Sequence, residues 1–231
     1  MVPGKIVLVL DTTFFGKRGK DQFGVSVFRS YHHKKNLLWK EVGNERMEIY
    51  KEGVRELQEK GWIIEAIVCD GKKGFFSLFP GIPTQMCQFH QLQAITRYLT
   101  KRPKTPAGKE LRAIALTLTK TDKESFTFWL SQWYGKHERF FKEHTLNPLT
   151  GRKVFTHRRL RSAYRSLTRN LPYLWTWYDH AKTMDIPNTT NCLDGTFSHL
   201  KNKANIHRGT TKERKLKLFF SLLSDPDAES P

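Results

Sequence analysis

The sequence predicts an α/β fold with a mixed sheet flanked by helices. Residues 6–10 and 62–69 form apolar runs with the composition of buried strands, and residues 23–29 alternate as Phe, Val, Val around Gly and Ser. Residues 45–60 place apolar side chains at helical spacing. Strands and helices that alternate along a chain in this way are typical of helices packed on a sheet.

The first part of the chain supplies the strands. Met47, Tyr50, Val54 and Leu57 define a helix that Gly61 ends, and Asp70 precedes a short helix. The expected order is therefore strands at 6–10, 23–29 and 36–42, a helix at 45–60, a strand at 62–69, a short helix, a strand at 83–89 and a helix at 91–101.

After Pro103 the pattern becomes helical. Tryptophan and phenylalanine recur at helical spacing, and Pro148 with Gly151 marks a break. We expect helices at 109–120, 123–144, 158–170, 192–203 and 211–223, with the break at 147–152.

The charge of the chain indicates a polyanionic partner. Of its 231 residues, 40 are Lys or Arg and 22 are Asp or Glu, which gives a formal net charge of +18. Nucleic acid is the leading candidate, because each phosphate that Lys or Arg neutralises releases condensed counterions. The sequence has no long apolar segment and no signal-like start that would predict a membrane protein. Its three widely spaced cysteines favour reduced thiols in the cytoplasm.

Two aspartates follow the two most apolar strands. Asp11 closes the first run and Asp70 closes the second. An ionised carboxylate at the edge of an apolar core costs free energy unless a cation lies beside it. If the two strands are parallel neighbours, both carboxylates emerge at the same end of the sheet.

A third acid is expected from the late helices. Asp179, Asp185 and Glu213 are candidates, but Asp194 is best placed, at the start of a helix with Lys201 two turns later on the same face. Three carboxylates suit two-metal phosphoryl transfer, in which two divalent ions activate the attacking oxygen and stabilise the leaving one.

Three segments resemble the catalytic domain of bacterial insertion-sequence transposases related to the Mutator group. They are the strand that carries Asp11, the strand that carries Asp70 with the downstream Met86-Cys87-Gln-Phe-His90, and the segment from Thr190 through Asp194 to Lys201 with the basic stretch from Ile206 onward. Together they span nearly the whole chain in the expected order.

The resemblance implies a ribonuclease-H-like fold and a DDE active site. It implies metal-dependent DNA cleavage and strand transfer at transposon ends by Asp11, Asp70 and Asp194, with two Mg²⁺ or Mn²⁺ ions. It also implies a homodimer on paired transposon ends, in the bacterial cytoplasm with the nucleoid. The implied organisation is a first core part at 1–103, an all-helical insertion at 104–186, the final core helices at 187–223 and a mobile tail at 224–231.

Two departures from the family have consequences. The third acid of the family is normally Glu, and Asp194 has one methylene less, which draws its carboxylate back by more than about 1 Å. Either the backbone compensates for this difference or the activity is weakened. The family usually carries an N-terminal DNA-binding region, so three alternatives are open: an excised domain, a truncated copy, or a protein that takes its DNA specificity from elsewhere.

Other residues are candidates for auxiliary and DNA-binding roles. Cys87, His90 and Lys201 are candidates for auxiliary positions of the active site. A zinc site is an alternative role for Cys87 and His90, with Cys69 or Cys192 as a further ligand. We favour instead a Cys87 that packs in the protein core. For most of the basic residues the alternative is ordinary solvation. The candidate DNA contacts are Lys72, Lys73, His90, Arg158, Arg159, Arg161, Lys201 and Arg208.

Three functions remain open from the sequence. The first is a DDE transposase catalytic domain. The second is a non-transposing nuclease of the same fold, which would use the same acids and metals. The third is a non-catalytic or domesticated nucleic-acid-binding protein in which Asp194 no longer supports turnover.

Overall fold

The fold is built on one mixed five-stranded sheet. The structure is a computed structural model that describes residues 2–17, 21–72 and 74–224. The strands are β1 (Lys5–Phe15), β2 (Phe23–Ser30), β3 (Lys35–Val42), β4 (Ile63–Cys69) and β5 (Thr84–Met86). Their spatial order is β3-β2-β1-β4-β5, with β2 antiparallel to β1 and β3, and with β4 parallel to β1 and β5. The predicted mixed sheet is confirmed, and the condition that the two aspartate strands are parallel neighbours is met.

Strand β1 is longer than the sequence predicts. We expected it to end before Asp11, but it continues to Phe15. The extension pairs with β2, from Thr12 opposite Ser26 to Phe15 opposite Phe23. The β-branched and aromatic residues after Asp11 favour an extended backbone that packs on a sheet, so Asp11 lies within a strand and does not end it.

Helices cover both faces of the sheet. Helix α1 (Met47–Glu59) packs on the face that carries Leu8 and Leu10, whereas Val7 and Val9 point to the opposite face. That opposite face is covered by α7 (Asp194–Ile206) and α8 (Lys212–Ser224). Successive side chains of β1 point to opposite faces of the sheet, so they contribute to two separate cores.

The packing of α1 on the sheet requires a glycine at position 53. A Cβ atom at Gly53 would lie 2.1 Å from Cζ of Phe28, a buried ring that cannot move aside. We expect Gly53→Ala to lower the free energy of unfolding by about 1–3 kcal/mol through overpacking. Gly135→Ala is the control, because nothing lies within 4 Å of its Cβ position and alanine favours a helix. Urea unfolding measures the free energy of unfolding of both variants. Equal values would contradict the close contact between Gly53 and Phe28.

A helical unit with its own core lies between β5 and α7. Its helices pack around buried side chains such as Leu111, Trp133 and Leu167. Helix α2, which we assigned to the first core part, contributes Ile95 and Leu99 to this core and packs on α5. The helices are α2 (Gln88–Leu99), α3 (Pro106–Leu116), α4 (Lys123–Phe141), α5 (Arg158–Leu174) and α6 (Thr176–Asp179), and two single-turn 3₁₀ helices lie outside the unit at Phe75–Ser77 and Asn191–Leu193.

The expectation of an all-helical insertion is wrong in one place. Between α4 and α5 the chain forms a hairpin of β6 (His144–Leu146) and β7 (Lys153–Phe155), which pair antiparallel. Asn147 accepts hydrogen bonds from the turn backbone, and Gly151 adopts a positive φ of 64°. The predicted break is thus a turn between two strands.

The remaining helical expectations are met at the end of the chain. The last predicted helix, at 211–223, is α8. The predicted tail begins at Ser224, the last residue of α8, and the rest of it lies outside the described residues. No helix in the described part of the chain is long and apolar enough to cross a membrane.

Candidate active site

The parallel pairing of β1 and β4 sets Asp11 beside Asp70. The last pair in this ladder is Val9 opposite Val68, and each aspartate lies two residues farther along its strand. Asp11 shares its face of the sheet with Val7 and Val9, the face that α7 covers. Because β4 ends at Cys69 while β1 continues, the two carboxylates meet where the sheet becomes narrower.

Both carboxylates lie in an environment that disfavours their negative charge. Burial, with contributions from Asp70 and Glu45, raises the pKa of Asp11 to about 7, against the opposing effects of His90 and the backbone N–H of Thr12. The pKa of Asp70 is also raised, first by burial and then by Glu45, although the backbone N–H of Lys72 donates to it at 3.0 Å. The site therefore has negative charge that a cation would stabilise.

Glu45 is a third carboxylate near this pair, and sequence reasoning missed it. It lies in the loop before α1, where an acidic residue is ordinary at a helix start. The Tyr50 hydroxyl donates to Glu45 at 2.5 Å and hydrogen-bonds the Thr12 hydroxyl at 2.8 Å. Thr12 in turn hydrogen-bonds Ser26 at 2.6 Å. A partly buried chain of hydrogen bonds thus links Thr12, the residue after Asp11, to Glu45.

Lys72 is held by Glu45, and its expected role as a DNA contact stays a prediction. Its ammonium group donates to the Glu45 carbonyl oxygen and lies 3.1 Å from the Glu45 carboxylate. The lysine therefore joins the loop after Asp70 to the loop before α1. Lys73, the other expected contact here, lies outside the described residues.

The Tyr50 hydroxyl is expected to stabilise this corner of the fold. Tyr50→Phe removes one hydrogen bond from Thr12, which keeps Ser26, and one from Glu45, which keeps Lys72. The loss of both bonds should lower the free energy of unfolding by about 1–3 kcal/mol. Tyr98→Phe, at an exposed tyrosine, is the matched control and should change it little. Urea denaturation compares the two variants, and an equal effect would show that the hydroxyl network contributes nothing.

Cys87 and His90 lie at the start of α2, next to the carboxylates. The Cys87 N–H donates to the Cys69 carbonyl at 2.7 Å, and Thr190 donates to the sulfur of Cys87 from its N–H at 3.3 Å and its hydroxyl at 3.5 Å. Burial disfavours a Cys87 thiolate, but His90 and Thr190 outweigh it and lower the pKa of Cys87.

His90 brings positive charge to the site. The Cys87 side chain, with Asp11 and Asp70, raises the pKa of His90 to about 9 against the effect of burial, so the imidazole is charged at neutral pH. Within residues 2–17, 21–72 and 74–224, no three His, Cys, Asp or Glu side chains are arranged to hold a metal ion. The alternative of a zinc site at Cys87 and His90 thus has no third ligand there.

The loop before Asp194 is fixed to this site. The Gln88 N–H donates to the Asn188 carbonyl at 2.9 Å, and Thr190 binds Cys87 as described. Asp194 follows Thr190 by four residues, begins α7 and is exposed. Its helix packs against β1, so its backbone is near the site, but the main charges acting on Asp11 and Asp70 are those of Glu45 and His90 and do not include Asp194.

Lys201 and Arg208 line one cleft of about 890 Å³. Lys17 and Lys215 line it too, and we call it the α7 cleft. It begins at Phe14, about 10 Å along β1 from Asp11, and Lys201 is about 10 Å along α7 from Asp194. The structure therefore brings together two predicted DNA contacts in a basic cleft that leads away from the aspartates.

Three arginines of α5 are candidate DNA contacts, and they lie apart from this site and differ from one another. Arg158 and Arg159 are exposed. Arg161 is buried, donates to the Phe141 carbonyl at 2.6 Å and stacks on the ring of Phe155, with 3.3 Å from its guanidinium carbon to the ring centre. Its expected role as a DNA contact is wrong, because its guanidinium group holds the hairpin against the helices.

Comparison with known proteins adds no assignment. Neither the scan against protein-family models nor the search of curated proteins finds a match for this chain.

Proposed function

We propose that this chain is the catalytic domain of a DDE transposase with a ribonuclease-H-like core, which cleaves and joins DNA strands by metal-dependent phosphoryl transfer. One observation carries the proposal: Asp11 on β1 and Asp70, the residue directly after the parallel neighbour β4, act on each other electrostatically in an environment that destabilises their charge. The mixed sheet and the helical unit before α7 support the proposed fold.

The donors present fit Mg²⁺ or Mn²⁺. Both ions prefer carboxylate oxygen, and Mg²⁺ commonly uses only one or two protein carboxylates, with water and substrate phosphate completing its shell. Asp11 and Asp70 would hold the ions, and Asp194 would complete the set from α7. When bound, such ions activate the attacking oxygen and stabilise the leaving oxygen of a phosphodiester.

The other residues of the site act on the phosphodiester by charge and position. The imidazolium of His90 lies near both aspartates and supplies positive charge toward a bound phosphate. Lys201 and Arg208 would hold the strand backbone in the α7 cleft. Glu45 and Lys72 do not reach substrate in this scheme; they fix the loop that carries Asp70.

A non-catalytic nucleic-acid-binding protein is the second candidate, and one observation favours it. The Asp194 carboxylate is short and exposed, and no three-ligand site is formed in the described part of the chain. The net charge and the basic clefts serve this function equally well.

A cleavage and joining assay tests the proposal. Labelled duplex DNA is incubated with the chain and Mg²⁺ or Mn²⁺, with EDTA as the metal-free control, and nicks and joined products are separated on a denaturing gel. We expect metal-dependent nicks and transfer of a 3′-hydroxyl end into a second duplex. Cleavage without joining would identify a non-transposing nuclease, and binding without cleavage would identify a binding protein.

A further inference from the structure

A second cleft, of about 570 Å³, lies in the helical unit far from the aspartates in sequence. We call it the helix-end cleft, because the end of α2 and the starts of α3 and α5 meet there. Strand β7 closes one side of it. The cleft is lined by residues 98–100, 102–105, 108, 145 and 154–160.

The charge of this cleft is entirely positive. Arg102, Lys104, Arg158 and Arg159 line it and are exposed. None of the described residues that line it is Asp or Glu. The nearby carboxylate of Glu143 is paired with His157, which lines the cleft, at 2.7 Å. The four cations on one concave surface favour a polyanionic ligand.

Two helix N-termini open into the same cleft. The first turn of α3 contributes Thr105 and Gly108, and the first turn of α5 contributes Arg158 through Leu160. Thr105 caps α3 by accepting from the Gly108 N–H at 3.1 Å, whereas α5 has no side-chain cap. Free N–H groups at a helix start are donors suited to phosphate oxygen.

The partial negative charge at the end of α2 also opposes an anionic ligand, and two arginines offset it. The C-terminal end of α2 turns carbonyl oxygens toward this region. Arg159 donates to the Arg97 carbonyl at 2.7 Å, and Arg112 donates to the Thr100 carbonyl at 3.2 Å. In addition, the buried hydroxyl of Thr156, which lines the cleft, has no hydrogen-bond partner among the described residues.

We propose that the helix-end cleft binds backbone phosphates of duplex DNA as a contact separate from the site of chemistry. Helix α2 runs from His90, beside the aspartates, to the cleft at Thr100, a length of about 15 Å. That length corresponds to about four nucleotide steps of a B-form strand. The choice of DNA as the polyanion rests on the proposed function, and the contact is independent of base sequence.

Salt-dependent DNA binding without metal tests the cleft. Lys104→Gln combined with Arg158→Gln removes two exposed charges from it. Lys51→Gln combined with Lys120→Gln removes two exposed charges that line neither cleft, and it serves as the matched control. Fluorescence anisotropy with a labelled duplex gives Kd over a range of salt concentrations, and circular dichroism checks the fold.

We expect the slope of log affinity against log salt to become shallower by about 2 in the cleft variant, with Kd raised roughly tenfold near physiological salt. The control should keep the wild-type slope. Arg102→Gln is a second, milder variant in a loop, and its slope should change by about 1. Unchanged slopes in the cleft variants, or an equal change in the control, would overturn the proposal.

The outcome is separable from that of the proposed function. If the cleft variants lose slope while the wild-type chain never cleaves DNA, the cleft is a DNA contact and the transposase proposal fails. If the wild-type chain cleaves DNA and the cleft variants bind with the wild-type slope, the inference about the cleft fails alone.

Discussion

Asp11→Asn is expected to abolish metal-dependent DNA cleavage and to stabilise the metal-free fold at neutral pH. An amide is a poor ligand for a divalent cation compared with a carboxylate, so we expect the cleavage rate to fall by at least about 10³-fold. The same change removes a charge that burial disfavours. One substitution should therefore move activity and stability in opposite directions.

The pH dependence gives the sign of the stability effect. The pKa of Asp11 is raised from 3.8 to about 7, so the folded state binds more protons than the unfolded state between these values. Stability from this group is present below about pH 4 and is lost as the pH rises to about 7. The upper limit of the loss is roughly 4 kcal/mol, and Asp11→Asn should recover part of it above pH 7.

Urea unfolding from pH 4 to pH 8, in EDTA, measures the difference between variant and wild type. Glu52→Gln is the control, because Glu52 is an exposed carboxylate on α1 and its removal should leave the profile unchanged. If the stability difference between variant and wild type does not grow with pH, ionisation of Asp11 does not destabilise the folded protein. Retained cleavage would remove Asp11 from the proposed ligand set.

The sequence was sufficient for the sheet and for the aspartate pair because both depend on local signals. Apolar runs identify buried strands, and an acid directly after such a run marks the end of the sheet where β4 stops. The length of β1 was not predictable in this way. Its extension exists because residues 12–15 pair with β2, and a pairing partner is not visible in the extended segment itself.

Glu45 and Arg161 show where sequence reasoning fails. Glu45 resembles any acid before a helix, and only the fold places it against Tyr50 and Lys72. Arg161 belongs to the same basic run as Arg158, but helical geometry turns it toward Phe155 and out of solvent. A run of like residues says nothing about which of them a neighbouring element will cover.

Asp194→Glu is expected to increase the cleavage rate, and Asp194→Ala is expected to remove cleavage. The start of α7 is fixed, because the loop before it binds Gln88 and Cys87. The backbone therefore cannot move far to bring a short carboxylate to Asp11. One additional methylene extends the reach by more than about 1 Å, and a displacement of that size can change a rate about 10²-fold.

The exposed position of Asp194 makes the test sharp. A longer side chain at the first residue of α7 displaces no packed neighbour, so Asp194→Glu should leave the unfolding free energy unchanged and alter only reach. Single-turnover cleavage at saturating DNA measures the rate, and Asp185→Glu is the control for an added methylene on a surface acid. If Glu and Ala at position 194 give the wild-type rate, Asp194 is not a ligand. Glu45 is then the remaining carboxylate close enough to act with Asp11 and Asp70, and its release from Tyr50 and Lys72 would have to precede catalysis.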